Sequence, residues 1–290
     1  MRAVILGCGW AGALAAWRLK HLYEIADVVC VDRDFSGGLL RSEIINGYLF
    51  DVGGSHVVFS RDRTVIESIL SMGGRWSSKE RRAFVLFNGF YVPYPFENGI
   101  FVLPPEQRAR YGLSLVKALM QGDKKPRSLR EWLLNTFGEE IAQDYLIPYN
   151  EKIWKRPLDE ISSDWVYNPG RLPIPSLEDI IKAVAGLEVK GYREQSIFYY
   201  PEGGIKTQYN IVMRKIEGMG VVFVRDEVKE IKKMEDGFLI NGWLRADHVV
   251  STLPLREIPY MLNPPPPKEV LRAANRLDYN SVVVVGIGVK

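Results

Sequence analysis

A glycine-rich turn near the N-terminus constrains the fold of this chain more than any other feature. It follows the apolar run Ala3–Leu6, precedes a helical pattern from about Ala11 to Leu22, and contains Gly7, Gly9 and Gly12. A GxGxxG pattern is weak by itself, but one that follows a strand and opens a helix is typical of a dinucleotide-binding βαβ unit. The chain is therefore expected to begin with a Rossmann-type domain built on a parallel sheet.

The next apolar run supplies the acidic residue that this motif requires. Val28–Val31 ends at Asp32, which lies twenty residues after Gly12. A carboxylate at this point can accept hydrogen bonds from the hydroxyls of an adenosine ribose. The backbone N–H groups at the start of the helix, around Trp10 and Ala11, can bind a pyrophosphate. We predict a bound dinucleotide; the alternative is a glycine-rich turn that binds nothing.

Each glycine has its own predicted role in this turn. Gly7 permits the tight turn, Gly9 lets the backbone approach the pyrophosphate, and Gly12 allows the helix to pack closely on the strand. Arg33 would suit the 2′-phosphate of NADP, but the neighbouring Asp32 would repel that phosphate.

The middle of the chain differs in character from both ends. After residue 74, Trp, Tyr, Phe and Pro become frequent, strands and helices no longer alternate, and Ser128 and Glu131 form a capping box that predicts a helix start. Near residue 200 the first pattern returns, with an amphipathic stretch at Thr207–Glu217 and an apolar run at Val221–Val224, which predicts a buried strand. We therefore predict a discontinuous nucleotide-binding domain at 1–74 and 196–290 and an inserted substrate domain at 75–195.

Three short patterns near the C-terminus predict a small antiparallel meander. They are Val228–Ile231, Gly237–Ile240 and Ala246–Thr252, and turn residues separate them. The predicted fold class is α/β: a Rossmann-type domain with a parallel sheet and this meander, and an inserted domain that is mostly helical.

Composition and net charge limit the kinds of binding partner that we expect for this chain. Lys and Arg number 38 against 35 Asp and Glu, a net charge of +3, and no basic block stands out, so nucleic acid is not an expected partner. No run of about 18 apolar residues predicts a transmembrane helix, which leaves only peripheral membrane contact open. The two cysteines form no CxxC pattern and the three histidines are far apart, so we expect no metal site and a reducing, cytoplasmic compartment.

A second segment of the sequence carries a family resemblance. Residues 36–43 (SGGLLRSE) and 47–56 (GYLFDVGGSH) resemble the second FAD motif of the amine oxidase and protoporphyrinogen oxidase superfamily, which UDP-galactopyranose mutases share. The resemblance implies FAD as cofactor and places one group of residues near the pyrophosphate, a second near the flavin ring and one residue at the adenine. These are, respectively, Gly38, Leu39 and Arg41; Gly53, Gly54, Ser55 and His56; and Val228.

The resemblance extends into the inserted domain. Residues 94–98 (YPFEN) and 148–154 (PYNEKIW) are similar to substrate-domain segments of the same families. Tyr94 and Tyr149 could hold a planar small-molecule substrate, and Lys152 could bind an anionic group on it. Core packing for the tyrosines and a solvated surface position for the lysine are the ordinary alternatives.

The predicted function is that of an FAD-dependent oxidoreductase in which the flavin N5 accepts a hydride from a C–N or C–C bond. The flavin performs the difficult step, so no catalytic side chain is predicted. One alternative is a redox-neutral, mutase-like isomerase that acts on a sugar nucleotide. Residues 251–254 (STLP), which resemble the end of the family's return strand after Val228–Ile231, argue modestly against it. Relatives continue beyond the position of Lys290. A second alternative is therefore a truncated FAD-binding module whose flavin site a partner chain or oligomer completes.

Overall fold

Two compact units make up the chain. The computed structural model describes residues 1–54, 56–60, 62–121, 125–167, 176–189 and 197–289. Unit 1 comprises Met1–Val58, Thr64–Ser77 and Tyr199–Lys290; unit 2 comprises Phe59–Arg63 and Ser78–Phe198. The predicted domain boundaries, after residues 74 and 195, lie close to the main changes from one unit to the other.

The first part of unit 1 contains the βαβ unit, a hairpin and a short helix. Its elements are β1 (Arg2–Leu6), α1 (Trp10–His21), β2 (Asp27–Asp32), β3 (Ser42–Ile45), β4 (Tyr48–Asp51), α2 (Arg63–Leu70) and the first residues of β5 (Trp76–Glu80), a strand that continues past the boundary at Ser77. The chain returns after the insertion, again with alternating strands and helices. These elements are β8 (Ile197–Pro201), α9 (Ile205–Gly218), β9 (Val222–Arg225), β10 (Ile231–Met234), β11 (Gly237–Ile240), β12 (Leu244–Ala246), β13 (His248–Ser251), α10 (Ile258–Met261), β14 (Leu262–Asn263) and α11 (Lys268–Arg276).

A four-stranded parallel sheet forms the centre of unit 1. Its order is β13-β1-β2-β9, and every pairing in it is parallel. The residues of β1 from Ala3 to Leu6 are almost completely buried, as expected for a parallel sheet covered on both faces. The predicted α/β class is therefore confirmed. The prediction of a buried strand at Val221–Val224 is wrong in one respect: β9 is an edge strand and Val222 is 52% exposed.

The predicted meander is only partly correct. A second sheet has the order β12-β11-β10-β14, in which β10, β11 and β12 pair antiparallel and β14 adds in parallel. The predicted strand at 246–252 is broken at Asp247, and its second half, β13, joins the parallel sheet beside β1. Val228 also lies outside the strand predicted for it, because β10 begins only at Ile231.

Helix α9 covers the parallel sheet beside α1. Tyr209, Val212 and Ile216 recur at helical spacing and are buried with Ala13 and Ala16 of α1 in one apolar cluster. Because small alanines face α9, the two helices can approach closely.

The N-terminus of α9 is closed by a carboxylate from the β3–β4 hairpin. Asp51 accepts hydrogen bonds from the Ser42 and Tyr200 hydroxyls, both at 2.6 Å, and from the Ile205 N–H at 3.4 Å. A negative charge at this point is favourable because the first N–H groups of a helix have no partner within it. The hairpin is thereby attached to the start of the helix.

Unit 2 is a helical assembly with one hairpin. Its described elements are β6 (Phe84–Phe87), β7 (Phe90–Pro93), α3 (Phe96–Gly99), α4 (Pro105–Met120), α5 (Leu129–Phe137), α6 (Glu139–Ile141), a π-helical segment (Ala142–Leu146), α7 (Ile147–Trp154) and α8 (Leu177–Val184), with three short 3₁₀ turns. The serine half of the predicted capping box is present, since Ser128 Oγ accepts the Glu131 N–H; Glu131 in turn accepts the N–H of Arg127 and not that of Ser128. The apolar face of α5, which includes Trp132 and Phe137, is buried in the core of this unit.

No helix among the described ranges combines the length and the apolar character needed to cross a membrane.

Candidate functional site

The glycine turn after β1 is shaped by two contacts that exclude side chains. The Gly7 N–H donates to the Val31 carbonyl at 2.9 Å, and Gly7 has φ +81°. A Cβ on Gly12 would lie 2.0 Å from the Gly7 carbonyl oxygen, far inside any real contact. Gly7 and Gly12 are therefore required by backbone conformation and by helix packing, as the sequence predicts.

Gly9 is less crowded and lies at the start of α1. The nearest atom to a Cβ built on Gly9 is the Cα of Gly38, at 3.6 Å. The first turn of α1 contains no acidic residue; within it, Trp10 is partly buried and Ala11 is exposed. Because free N–H groups at a helix start attract anions, this end of α1 suits a diphosphate.

Asp32 faces the glycine turn and holds it in place. Its Oδ2 accepts the Cys8 N–H at 2.5 Å, and its Oδ1 accepts the Asp34 N–H at 3.2 Å. A carboxylate offers about four lone-pair positions, so acceptor capacity remains for a ribose. Arg33, by contrast, forms an exposed ion pair with Glu227 at 3.9 Å.

Two residues from distant parts of the chain support the turn. The Tyr209 hydroxyl donates to the Cys8 carbonyl at 2.8 Å, and the Thr252 hydroxyl donates to the Gly7 carbonyl at 2.9 Å. Burial raises the pKa of Tyr209, so this hydroxyl remains a donor. The pKa of the Cys8 thiol is also raised, first by its hydrogen bond with Cys30 and then by burial. Sequence reasoning missed both supporting residues as part of the site.

The second predicted motif folds into two adjacent backbone segments. The Val52 N–H donates to the Arg41 carbonyl at 2.9 Å. A Cβ on Gly53 would lie 2.0 Å from the carbonyl oxygen of Leu39, so only glycine fits there. Gly38 approaches the glycine turn, since its Cβ position is 3.5 Å from the Gly9 Cα. The structure thus brings 37–41, 51–54 and the turn after β1 together.

The remaining predicted cofactor residues differ in their surroundings. His56 Nδ1 lies 2.9 Å from the Gly54 carbonyl oxygen, and Arg41 is paired with Glu43 at 3.2 Å. Val228 is buried in the apolar cluster beneath the second sheet. Ser55 lies outside the described residues.

In unit 2, the two tyrosines predicted for substrate binding lie within electrostatic range of each other. Tyr94 and Tyr149 both lie near Glu97, a buried acid that sequence reasoning did not single out. Burial raises the pKa of Tyr94 to about 12. Lys152 is exposed on α7, the helix that carries Tyr149.

No group of three His, Cys, Asp or Glu side chains within the described ranges is arranged to hold a metal ion.

Comparison with known proteins identifies the family. The family model described as flavin containing amine oxidoreductase matches residues 11–290. This chain belongs to that family. Membership supports a flavin cofactor and confirms the superfamily resemblance carried by residues 36–56.

Solved structures of the superfamily share the fold. A reduced UDP-galactopyranose mutase is 27% identical with a TM-score of 0.83, and the match covers 96% of this chain and 61% of the mutase. Cyclohexylamine oxidase from Brevibacterium oxydans is 19% identical with a TM-score of 0.60, covering 95% of this chain and 63% of the oxidase. At that identity the oxidase shows the fold alone.

One relative matches only a short stretch. A protein described as an uncharacterized protein in the nifH2 3′ region, from Methanothermococcus thermolithotrophicus, is 43% identical over 53 residues, which is 18% of this chain and 50% of that protein. The chain therefore spans half of this relative and about three fifths of the two family structures described above.

Proposed function

We propose that this chain binds FAD and forms the cofactor-binding part of a flavin-dependent oxidoreductase. The observation that carries the proposal is the turn after β1, where Gly9 is open, α1 begins without an acidic side chain, and the Asp32 carboxylate lies against the Cys8 N–H. Because Asp32 at the end of β2 accepts a hydrogen bond from the turn that opens α1, the three features lie together, and a diphosphate and an adenosine ribose can be bound side by side.

Three groups of residues would hold the cofactor. The N–H groups of Trp10 and Ala11 would bind the pyrophosphate, and Asp32 would accept the ribose hydroxyls. Gly38 would lie near the pyrophosphate, and Gly53, Gly54 and His56 would approach the flavin ring, as the family resemblance implies. Val228 would contribute its backbone beside the adenine.

The bound flavin would supply hydride acceptance from a C–N or C–C bond of a small-molecule substrate. The side chains proposed to meet the substrate are Tyr94, Tyr149 and Lys152, all in unit 2. Their role would be to orient the substrate and exclude water. The reducing, cytoplasmic setting predicted from the sequence is compatible with this chemistry.

The absorption spectrum of the purified chain is the first test. We expect flavin bands near stoichiometry or, failing that, saturable binding of added FAD. Asp32→Ala should weaken FAD binding by about tenfold or more, since it removes the ribose acceptor and the partner of the Cys8 N–H. Asp236→Ala, in the exposed turn between β10 and β11, is the matched control and should bind FAD normally. A colourless chain that also fails to bind added FAD would contradict the proposal.

A mutase-like isomerase is the second candidate. Supporting it is the TM-score of 0.83 with a reduced UDP-galactopyranose mutase, against 0.60 for the oxidase. Saturable UDP binding, together with turnover of a UDP-sugar only after chemical reduction of the flavin, would select it. Turnover coupled to consumption of an electron acceptor would select the oxidoreductase.

A third candidate is an FAD-binding module that a partner chain or an oligomer completes. In favour of it are the 61% coverage of the mutase and the exposed apolar side chains at 282–289, including Val283 at 88%. Sedimentation velocity at two concentrations would detect self-association, and FAD affinity that rises with protein concentration would support completion by a second copy.

A further inference from the structure

A hollow on the surface of unit 1 is lined by residues that have no part in the proposed cofactor or substrate sites. Its volume is about 400 Å³, within the range of sites that hold a small molecule. The loop after β2, helix α9 and the edge strand β9 line it, through Phe35, Asn210, Met213, Arg214, Glu217 and Phe223. All six residues belong to unit 1, which therefore forms the hollow by itself.

Two aromatic rings form the apolar part of the hollow. Phe35 and Phe223 meet edge to face, with ring centroids 5.4 Å apart and an interplanar angle of 79°. Both rings are only partly buried, and they pack with Met213 against the apolar cluster of α1 and α9. Because aromatic rings favour edge-to-face and offset contacts, the parts of these rings that remain exposed suit a further planar ring.

The backbone of Phe35 adopts a conformation that is rare for a bulky residue. Its φ is +49°, in the left-handed region. Such a conformation is unfavourable and persists only where surrounding contacts hold it. Two hydrogen bonds fix this loop: Asp32 Oδ1 accepts the Asp34 N–H at 3.2 Å, and Asp34 Oδ1 accepts the Ser36 N–H at 3.0 Å. The ring of Phe35 is therefore held in position before any ligand binds.

Polar side chains of α9 line the other side of the hollow. Asn210, Arg214 and Glu217 are four and then three residues apart, so they share one face of the helix, and all three are exposed. Within the part of the chain that the structure describes, neither charged group forms an ion pair and none of the three side chains has a hydrogen-bond partner. The hollow thus presents an amide and a cation towards one end and a carboxylate at the other, all available to a ligand.

We propose that this hollow binds a phenolic acid, a small aromatic molecule with a carboxylate at one end and a hydroxyl group at the other. The ligand's ring packs on Phe35 and Phe223, its carboxylate accepts hydrogen bonds from Arg214 and Asn210, and its hydroxyl donates to Glu217. Asn210 and Glu217 lie about 10 Å apart along the helix axis, enough for a substituted benzene ring. A second anionic group would be repelled by Glu217, whereas a hydroxyl can donate to it. The proposal does not depend on bound FAD.

Calorimetric titration of the full chain with 4-hydroxyphenylacetate and two analogues at neutral pH tests the site. The neutral analogue 4-hydroxyphenylacetamide should bind about fivefold more weakly, because it loses a charge-assisted contact that is open to solvent. Phenylacetate, which lacks the hydroxyl, should bind about threefold more weakly, since one hydrogen bond is lost. Absence of saturable binding of 4-hydroxyphenylacetate, or equal affinity for it and either analogue, would overturn the proposal.

Variants locate the binding in this hollow. Arg214→Gln should weaken 4-hydroxyphenylacetate binding about fivefold and remove the preference for the acid over the amide. Lys215→Gln, the next cation on α9, is exposed but does not line the hollow, so it should bind all three probes as wild type does. Phe35→Asn removes the ring and keeps a residue that tolerates left-handed backbone, and it should abolish binding of all three probes. Wild-type affinity in Arg214→Gln or in Phe35→Asn would refute the assignment. FAD binding, followed by absorbance in the same samples, reports separately on the proposed function.

Discussion

At the scale of single residues, two glycines are fixed by backbone atoms rather than by flexible side chains. A Cβ on Gly12 or on Gly53 would lie 2.0 Å from a carbonyl oxygen, of Gly7 in the first case and of Leu39 in the second. Neither oxygen can move without displacing a strand end or a turn. A substitution at either position is therefore expected to lower the free energy of unfolding and to weaken cofactor binding.

Gly12→Ala should lower the free energy of unfolding by about 1–3 kcal/mol, as overpacking in a dense region does, and should abolish stoichiometric FAD binding. Urea denaturation and flavin absorbance measure the two effects. Gly218→Ala is the control, because a Cβ there meets no atom within 4 Å and Gly218 ends α9. It should change stability by no more than about 0.5 kcal/mol. Equal behaviour of the two variants would contradict the packing role of Gly12.

Glu97 should make the stability of the protein depend on pH. Its pKa is raised in the folded state from 4.5 to about 7, so folding favours the neutral form. The stabilising contribution is complete below pH 4.5 and is lost as the pH rises through 7, a difference of about 3 kcal/mol at about 1.4 kcal/mol per tenfold change in proton affinity.

Urea midpoints at pH 5 and pH 8 test this contribution. At pH 8, Glu97→Gln should unfold at a higher urea concentration than wild type. The difference between the two proteins should be smaller at pH 5. Glu106→Gln, at an exposed position in the first turn of α4, should show the same difference from wild type at both pH values. A Glu97→Gln difference that does not vary with pH would mean that Glu97 titrates normally.

At the scale of elements, Asp51 links the β3–β4 hairpin to the start of α9. Asp51→Ala would leave the Ser42 and Tyr200 hydroxyls without their acceptor and is expected to cost about 2–4 kcal/mol. Asp51→Asn keeps one acceptor oxygen and should cost less. Chemical denaturation gives both values, and Asp236→Asn in an exposed turn should be neutral. A cost below about 1 kcal/mol for Asp51→Ala would show that the junction contributes little.

Local patterns in the sequence predicted the local elements well. The GxGxxG turn, the helix after it and the helix N-cap at Ser128 depend on residues a few positions apart, and the structure has all three. Partners distant in sequence were not predictable. Nothing in the local pattern indicates that Tyr209 donates to Cys8, or that β13 pairs with β1 and not with β12.

The same limit applies to unit 2. Tyr94 and Tyr149 were identified from motifs, but the burial of Glu97 depends on how α3, α7 and α8 pack together. A glutamate in a stretch of Pro, Phe and Asn gives no signal of its pKa. Sequence reasoning therefore identified Tyr94 and Tyr149 and missed Tyr145, which stacks on Tyr149, and the charged residue Glu97.

At the scale of the whole molecule, unit 1 is assembled from both ends of the chain. Strand β13 pairs with β1, and Thr252 bonds to Gly7 across 245 residues of sequence. A truncated chain of residues 1–247 lacks β13 and Thr252 but retains all of unit 2. We expect it to fail to bind FAD by absorbance titration, while near-ultraviolet circular dichroism of the tryptophans and tyrosines in unit 2 is retained in part. FAD affinity equal to that of the full chain would show that β13 is dispensable.

The long separation between β1 and β13 also sets an order of events during synthesis. Unit 2 lies mostly within one continuous stretch and can fold while it emerges from the ribosome, since domains generally fold as units during translation. The glycine turn receives the hydrogen bond of Thr252 only after residue 252 has been made, so we expect a nascent chain to carry a nearly complete unit 2 before it binds a cofactor. Supply of flavin would then influence the last stage of maturation and not the first.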